Sequence, residues 1–177
     1  MEESPTKADG GGADVSPPFE RIVADYGPLI TRIAASYEAD PSLREDLTQQ
    51  ILLALWQALP SYRADASLKT FIARVAQNRS ISFVTKQVRQ PQVTELPEKL
   101  EAAEPNPEES AIYSNERRLL LDATRRLPLP QREVIILVLE GFDYSEIAEM
   151  LNIAPNALAL RLSRAKTALK KMLEHQA

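Results

Sequence analysis

Asp143-Tyr-Ser-Glu-Ile-Ala-Glu-Met-Leu-Asn-Ile-Ala-Pro-Asn-Ala-Leu-Ala-Leu-Arg-Leu-Ser-Arg-Ala, ending at Ala165, is the most informative stretch of the chain and has the pattern of a helix-turn-helix. A short helix around Ser145 to Leu151 is expected to bury Ile147 and Leu151, and the small Ala148 lets a second helix cross close to it. Asn152 falls in the turn, where a left-handed backbone suits Asn better than most residues. Pro155 fits the first position of the second helix, because the N–H it lacks would find no partner within the helix there. At 100° per residue, Leu158, Leu162, Ala165 and Leu169 then form one buried stripe. The bases Arg161, Arg164, Lys166, Lys170 and Lys171 run without an acid among them from Ala154 to Met172, whereas Asp143 to Met150 holds three acids and no base. An isolated basic helix face is usually just solvated, but behind a helix-turn-helix it is the surface expected in a DNA groove.

Upstream of this motif, Ile112, Leu119, Leu120, Ala123 and Leu127 share a helical face, and Pro128 and Pro130 then break the chain. The run Val134 to Leu139 has the β-branched content of a buried strand, yet Pro130 suits a helix start and the neighbouring segments are helical, so a helix is expected. Residues 111–177 therefore read as one small helical unit. Before it, 90–110 carries Pro91, Pro97, Pro105 and Pro107 among acids and few apolar residues, which reads as a flexible interdomain linker.

Residues 19–89 read as a second helical unit. A helix around Phe19 to Tyr37 is followed by one from Ser42, with Ser42 and Glu45 as a capping box, to about Leu59, where Pro60 ends it. On that helix Leu43, Leu47, Ile51, Ala54 and Ala58 share a face, and Leu52, Trp56 and Leu59 form another apolar edge. Asp46, Gln49, Gln50, Leu53 and Gln57 are left as a mainly polar, presented stripe. A third helix, about Ser67 to Lys86, brings Leu68, Phe71, Ile72, Val75, Ala76 and Phe83 together, completing a three-helix bundle. Helical spacing assigns Trp56 and Phe71 to the core. Residues 1–18, with Gly10-Gly11-Gly12 and three prolines, bury too little to offset their ordering entropy and read as a disordered tail. The fold class is all-α: two small helical domains on a linker.

Composition excludes several functions. There are no cysteines and one histidine, His175, near the C-terminus, so neither a thiolate metal site nor histidine-based catalysis is expected, and no cofactor. The carboxylate pair Glu45 and Asp46 lacks the convergent partners that hydrolysis needs. No run approaches the roughly 18 apolar residues of a membrane span, and the first residues lack a signal-peptide core, so a non-enzymatic cytoplasmic protein is expected. The formal charge of −4 argues against nucleic acid until it is divided. Residues 1–18 carry −3 and 91–110 carry −5, while 19–90 and 111–177 carry +2 each. The folded units are thus mildly basic, as phosphate contact requires.

With these motifs in order, the chain resembles the extracytoplasmic-function (ECF) sigma factors of the sigma-70 family, over nearly everything from Phe19 to Leu173 outside the linker. Glu45-Asp46-Leu47-Thr48-Gln49-Gln50 looks like the family's region 2.2 motif, which implies that Glu45, Asp46, Gln49, Gln50 and Leu53 meet core RNA polymerase. Lys69 to Arg79 is similar to the promoter-melting helix. That likeness implies that the loop Tyr62 to Ser67 and Asn78 trap a −10 base, and that Arg63, Lys69, Arg74 and Arg79 attend the same strand. Leu127 to Leu169 resembles region 4, implying contact of Asn156, Arg161, Arg164, Lys166 and Lys170 with the −35 element of promoter DNA, and the family also implies an anti-sigma factor as partner. The sequence departs from the family's usual residues at Gln50, which removes one charge from the polymerase contact, and at Phe71; in the second helix of the motif it departs at Ala154, Ala157, Ala159 and Leu160, which predicts weak or unusual base reading there. Two alternatives stay open: a sigma-like decoy that binds an anti-sigma factor without opening promoters, and a conventional helix-turn-helix regulator. The latter leaves the stripe around Asp46 unexplained.

Overall fold

The computed structural model describes residues 17–89 and 109–175, with side chains from 115 onward in the second stretch. The expected tail, apart from Pro17 and Pro18, and the expected linker, apart from the residues at 109 and 110 that open a helix, lie outside the described residues. The first unit comprises α1 (Phe19–Tyr37), α2 (Pro41–Ala58), a 3-10 turn (Leu59–Ser61) and α3 (Leu68–Arg89). The second comprises α4 (Glu109–Arg126), α5 (Leu129–Leu139), α6 (Tyr144–Met150) and α7 (Pro155–Glu174). No strand occurs among the described residues.

In the first unit, Ile22, Leu29, Ile30 and Ile33 of α1 pack against Leu47, Ile51 and Leu55 of α2 and Ile72, Ala73 and Ala76 of α3. These residues recur every three or four positions, so each helix closes one side of a common core; truncating one of the large ones costs about 2–5 kcal/mol. Helix α2 differs from the sequence expectation in three respects. Its cap is Asp40, whose side chain accepts from the Leu43 N–H at 2.9 Å, with Pro41 at the first helical position. The helix thus begins two residues earlier than a Ser42 cap allows. Leu55, not Leu43, completes the buried row: Leu43 is 41% exposed. Trp56 is 60% exposed, one 100° step off that row, and lines a surface cleft with Pro17, Phe19 and Pro60 instead of entering the core.

In the second unit, α5 is buried on nearly every side, with Val134, Ile135, Ile136 and Leu137 all in the core. It is wrapped by α4, α6 and α7 and backed by α3 of the first unit, which is why a helix here reads as a continuous apolar run rather than an amphipathic stripe. The turn between α6 and α7 is as expected. Asn152 has φ 50°, Pro155 opens α7, and Leu158, Leu162, Ala165 and Leu169 are its buried stripe. Ile147 is fully buried, while Leu151 is half-buried at the edge of the turn.

The two units dock on each other through α1 against α4 and α3 against α5 and α6, and their cores are continuous. Tyr37 of α1 is buried in this seam beneath the Arg132 guanidinium, 5.8 Å from its ring centroid. Burial, reinforced by the negative charge of Glu133, pushes the Tyr37 phenol well above its ordinary range, so it sits in the seam as a neutral group.

Candidate functional site

The outward side of α2 is formed by what the core row leaves over. Glu45, Asp46, Gln49 and Leu53 are exposed, and Leu53, at 52%, gives this acidic and polar surface one apolar contact point. Gln50 is half-buried and turned toward α3, where it lines a cleft with Leu43, Arg79 and Phe83. Four of the five expected residues therefore form one open surface, and Gln50 borders it.

The loop before α3 is ordered by its own hydrogen bonds. The Tyr62 hydroxyl donates to the Ala66 carbonyl at 2.9 Å, and its ring meets Phe71 at a centroid distance of 5.0 Å, tilted by 50°. Ser67 caps α3, its hydroxyl accepting from the Thr70 N–H at 3.1 Å. Phe71 is therefore half-buried beneath the loop rather than in the central core. Arg63 stands exposed on the loop, and Arg74, Asn78 and Arg79 are exposed on α3.

Lys69 is placed differently from these. Its ammonium donates to the Glu140 carbonyl at 2.9 Å and lies 4.4 Å from the Phe142 ring centroid, both in the second unit. Around it, Thr70 donates to the Glu146 carboxylate at 3.2 Å, and the Gln77 amide donates to the Glu133 carbonyl at 2.9 Å. The Arg32 guanidinium grips the Glu140 carboxylate with Nε at 3.0 Å and Nη2 at 2.8 Å. This two-pronged geometry is the strong form of such a pair, and its hydrogen bond holds Arg32 above the ordinary arginine range. Across a cleft of about 200 Å³, Ser67, Thr70 and Arg74 face Glu146 and Glu149 of α6. One edge of the candidate −10 surface is thus covered by the acidic first helix of the helix-turn-helix. Sequence reasoning missed Arg32, Gln77, Glu140 and Glu146 because their partners lie 56 to 108 positions away, beyond any local pattern.

Helix α7 presents its bases more freely. Asn156, Arg164, Lys166 and Lys170 are exposed. Arg161 is half-buried and drawn aside to Glu133 of α5 at 3.9 Å. Burial raises the pKa of the Glu133 carboxylate, and the Arg161 charge opposes that shift. Beside α7, an open apolar groove of about 620 Å³ runs along α6, lined by Tyr144, Ala148, Pro155, Leu158, Ala159 and Leu162 among others.

These two surfaces, a polar stripe on the first unit and a basic helix-turn-helix on the second, coincide with two matches to known families in the same order: Sigma-70 region 2 over residues 22–90, and Sigma-70, region 4 over residues 117–169. The chain belongs to the sigma-70 family, in its ECF group. Among relatives of this sigma factor, the "Probable RNA polymerase sigma factor RfaY" of Xanthomonas campestris is 27% identical over 160 residues, covering 88% of this chain and 40% of that longer protein. The ECF RNA polymerase sigma-E factor of Escherichia coli K12 is 23% identical over 167 residues, covering 88% of this chain and 86% of the relative. The fold is shared with the sigma factor RpoE of Bartonella quintana, solved with the anti-sigma factor NepR, at a TM-score of 0.69 and 24% identity over 88% of this chain and 96% of that one.

Proposed function

We propose that this sigma factor docks on core RNA polymerase through Glu45, Asp46, Gln49 and Leu53, with Gln50 at the margin, and directs initiation at a defined set of promoters. The observation that carries the reading is the pairing of an exposed α2 stripe with a free basic α7 on a chain whose two halves match regions 2 and 4 in order. The loop from Tyr62 with Arg63, and Arg74, Asn78 and Arg79 of α3, attend the unpaired −10 strand, and a base trapped there must regain the few kcal/mol lost on unstacking. Asn156, Arg164, Lys166 and Lys170 meet the −35 duplex, with Arg161 in reserve behind Glu133. The polymerase supplies the chemistry, and the site of action is the cytoplasm, where promoter DNA is.

The two promoter elements lie roughly 60 Å apart, somewhat under two turns at about 35 Å each, and about 20 extended residues reach on the order of 65 Å. Units that span this distance have left the docked arrangement, and Lys69 then becomes available to the −10 strand. Docking and DNA engagement are therefore alternatives. An anti-sigma factor is the second partner: the similarity to RpoE, solved with such a protein, supports it.

Reconstitution tests the whole reading. The full chain added to core polymerase should start transcription from a selected subset of promoters, and Asp46→Arg should remove association with the polymerase by roughly a hundredfold or more while leaving the melting temperature unchanged, because Asp46 is exposed. A decoy would capture an anti-sigma factor and leave every promoter closed. Normal polymerase binding by Asp46→Arg would reject the assigned docking stripe.

A further inference from the structure

Helix α7 carries a second chemistry beside its charge. Opposite the buried stripe of Leu158, Leu162, Ala165 and Leu169, a 100° step per residue places Asn156, Leu160, Ser163 and Thr167, and all four are exposed. Leu160 is 51% exposed in the middle of this outward line. A lone exposed Leu carries no meaning, but here it stands at the centre of the outward face of the second helix of the helix-turn-helix, on a line whose Ser163 and Thr167 reach the groove between α6 and α7. Arg164 and Lys171 flank the line on one side and Lys166 and Lys170 on the other, and no acid occurs between Glu149 and Glu174.

An uncharged line with one apolar side chain at its centre, bordered on both sides by cations, has the charge layout of a duplex major groove in reverse, with phosphates along both walls and base edges on the floor. On that floor, thymine presents an apolar group, the 5-methyl. Arg164 borders the outward line and Arg161, a further step round the helix, is held by Glu133, so the line itself offers an isobutyl group, a carboxamide and two hydroxyls rather than a guanidinium. We infer that Leu160 is a specificity-determining residue that packs on a thymine 5-methyl in the −35 element, so that the promoters chosen by this sigma factor are marked by a methyl group as well as by hydrogen-bonding edges. The inference rests on the sigma-factor reading and deepens it.

Replacing thymine with deoxyuridine isolates the claim, because it deletes the methyl and keeps every hydrogen-bonding group. Holoenzyme made from the full chain and core polymerase is first used to select promoters from a random duplex pool. Each −35 thymine of a selected promoter is then replaced in turn by deoxyuridine. At one position wild-type affinity should fall about fourfold, the value of one buried methyl. Leu160→Ala should lose a similar factor on the thymine duplex and bind the thymine and uracil duplexes alike, with its melting temperature unchanged because the side chain is exposed. Equal binding of thymine and uracil by the wild type at every position overturns the inference, as does discrimination that survives Leu160→Ala. If Leu160→Ala leaves promoter binding intact and instead abolishes capture by an anti-sigma protein, the line belongs to a protein partner and the inference is wrong. Failure to select any −35 sequence is a separate result, and it would remove the sigma-factor reading itself.

Discussion

Helices α3 and α7 both carry bases assigned to promoter DNA, yet they hold them in opposite ways. On α3, Lys69 is engaged by the Glu140 carbonyl and the Phe142 ring, and Arg74 faces Glu146 and Glu149 across a narrow cleft. On α7, Arg164 and Lys166 stand in the open, Lys170 meets only the exposed Glu174 one turn on, and Arg161 is drawn against Glu133 of α5. The difference follows from where the acids are. Helix α6 gathers Glu146 and Glu149 and points them at α3, while α7 runs without an acid until Glu174. One protein thus keeps the surface proposed for duplex DNA exposed and part of the surface proposed for the single strand covered by itself, and the cover is the acidic half of the same motif.

The contrast can be broken most forcefully at its hinge pair. Arg32→Glu sets two carboxylates against each other where Arg32 and Glu140 now meet. Because the Arg32 side chain is 44% exposed, solvent screening limits the effect to on the order of 1–2 kcal/mol. The docked population should still fall several-fold, and Glu140→Arg in the same chain should restore it. The chain has no native cysteine, so labels at Ala24→Cys and Lys171→Cys report the separation of the units directly by energy transfer. An unchanged distance in Arg32→Glu would mean that the pair does not hold the units together.

A smaller effect sharpens the other side of the comparison. Arg164→Ala should weaken holoenzyme binding to promoter duplex roughly threefold and lower the slope of log affinity against log salt by about 0.9, the share of one phosphate contact. Arg161→Ala should change that slope less, since its guanidinium already faces Glu133. Equal slopes for the two variants would erase the distinction drawn between them. The smallest effect concerns the start of α7, where Ala154 occupies the cap position in extended backbone and offers no side-chain acceptor. Ala154→Ser should stabilise the second unit by about 0.5–1 kcal/mol, read as a raised denaturation midpoint. No gain would show that the first turn of α7 is already satisfied by other means.

Much of this molecule was written locally. The turn at Asn152, the start at Pro155 and the buried row from Leu158 to Leu169 all appear in the structure as their spacing demands, because helix periodicity and turn chemistry involve residues at most four positions apart. The exposed stripe of Glu45, Asp46, Gln49 and Leu53 was legible for the same reason. Trp56 was misplaced because an amphipathic count treats any second apolar edge as buried, whereas only one row of α2 faces α1 and α3.

The sequence by itself determined the helices, the proline start of α7, the helix-turn-helix and the division of charge between folded units and the stretches around them. Tertiary structure alone decided how the two units meet: that Glu140 answers both Arg32 and Lys69, that Gln77 reaches the Glu133 carbonyl, and that Glu146 faces Thr70. The physical reason is separation along the chain. A local pattern fixes which side of a helix is apolar, but the partner of an individual charge 70 or 100 residues away is chosen by how whole surfaces fit, and that choice sets which of the bases proposed to meet DNA are open and which are held.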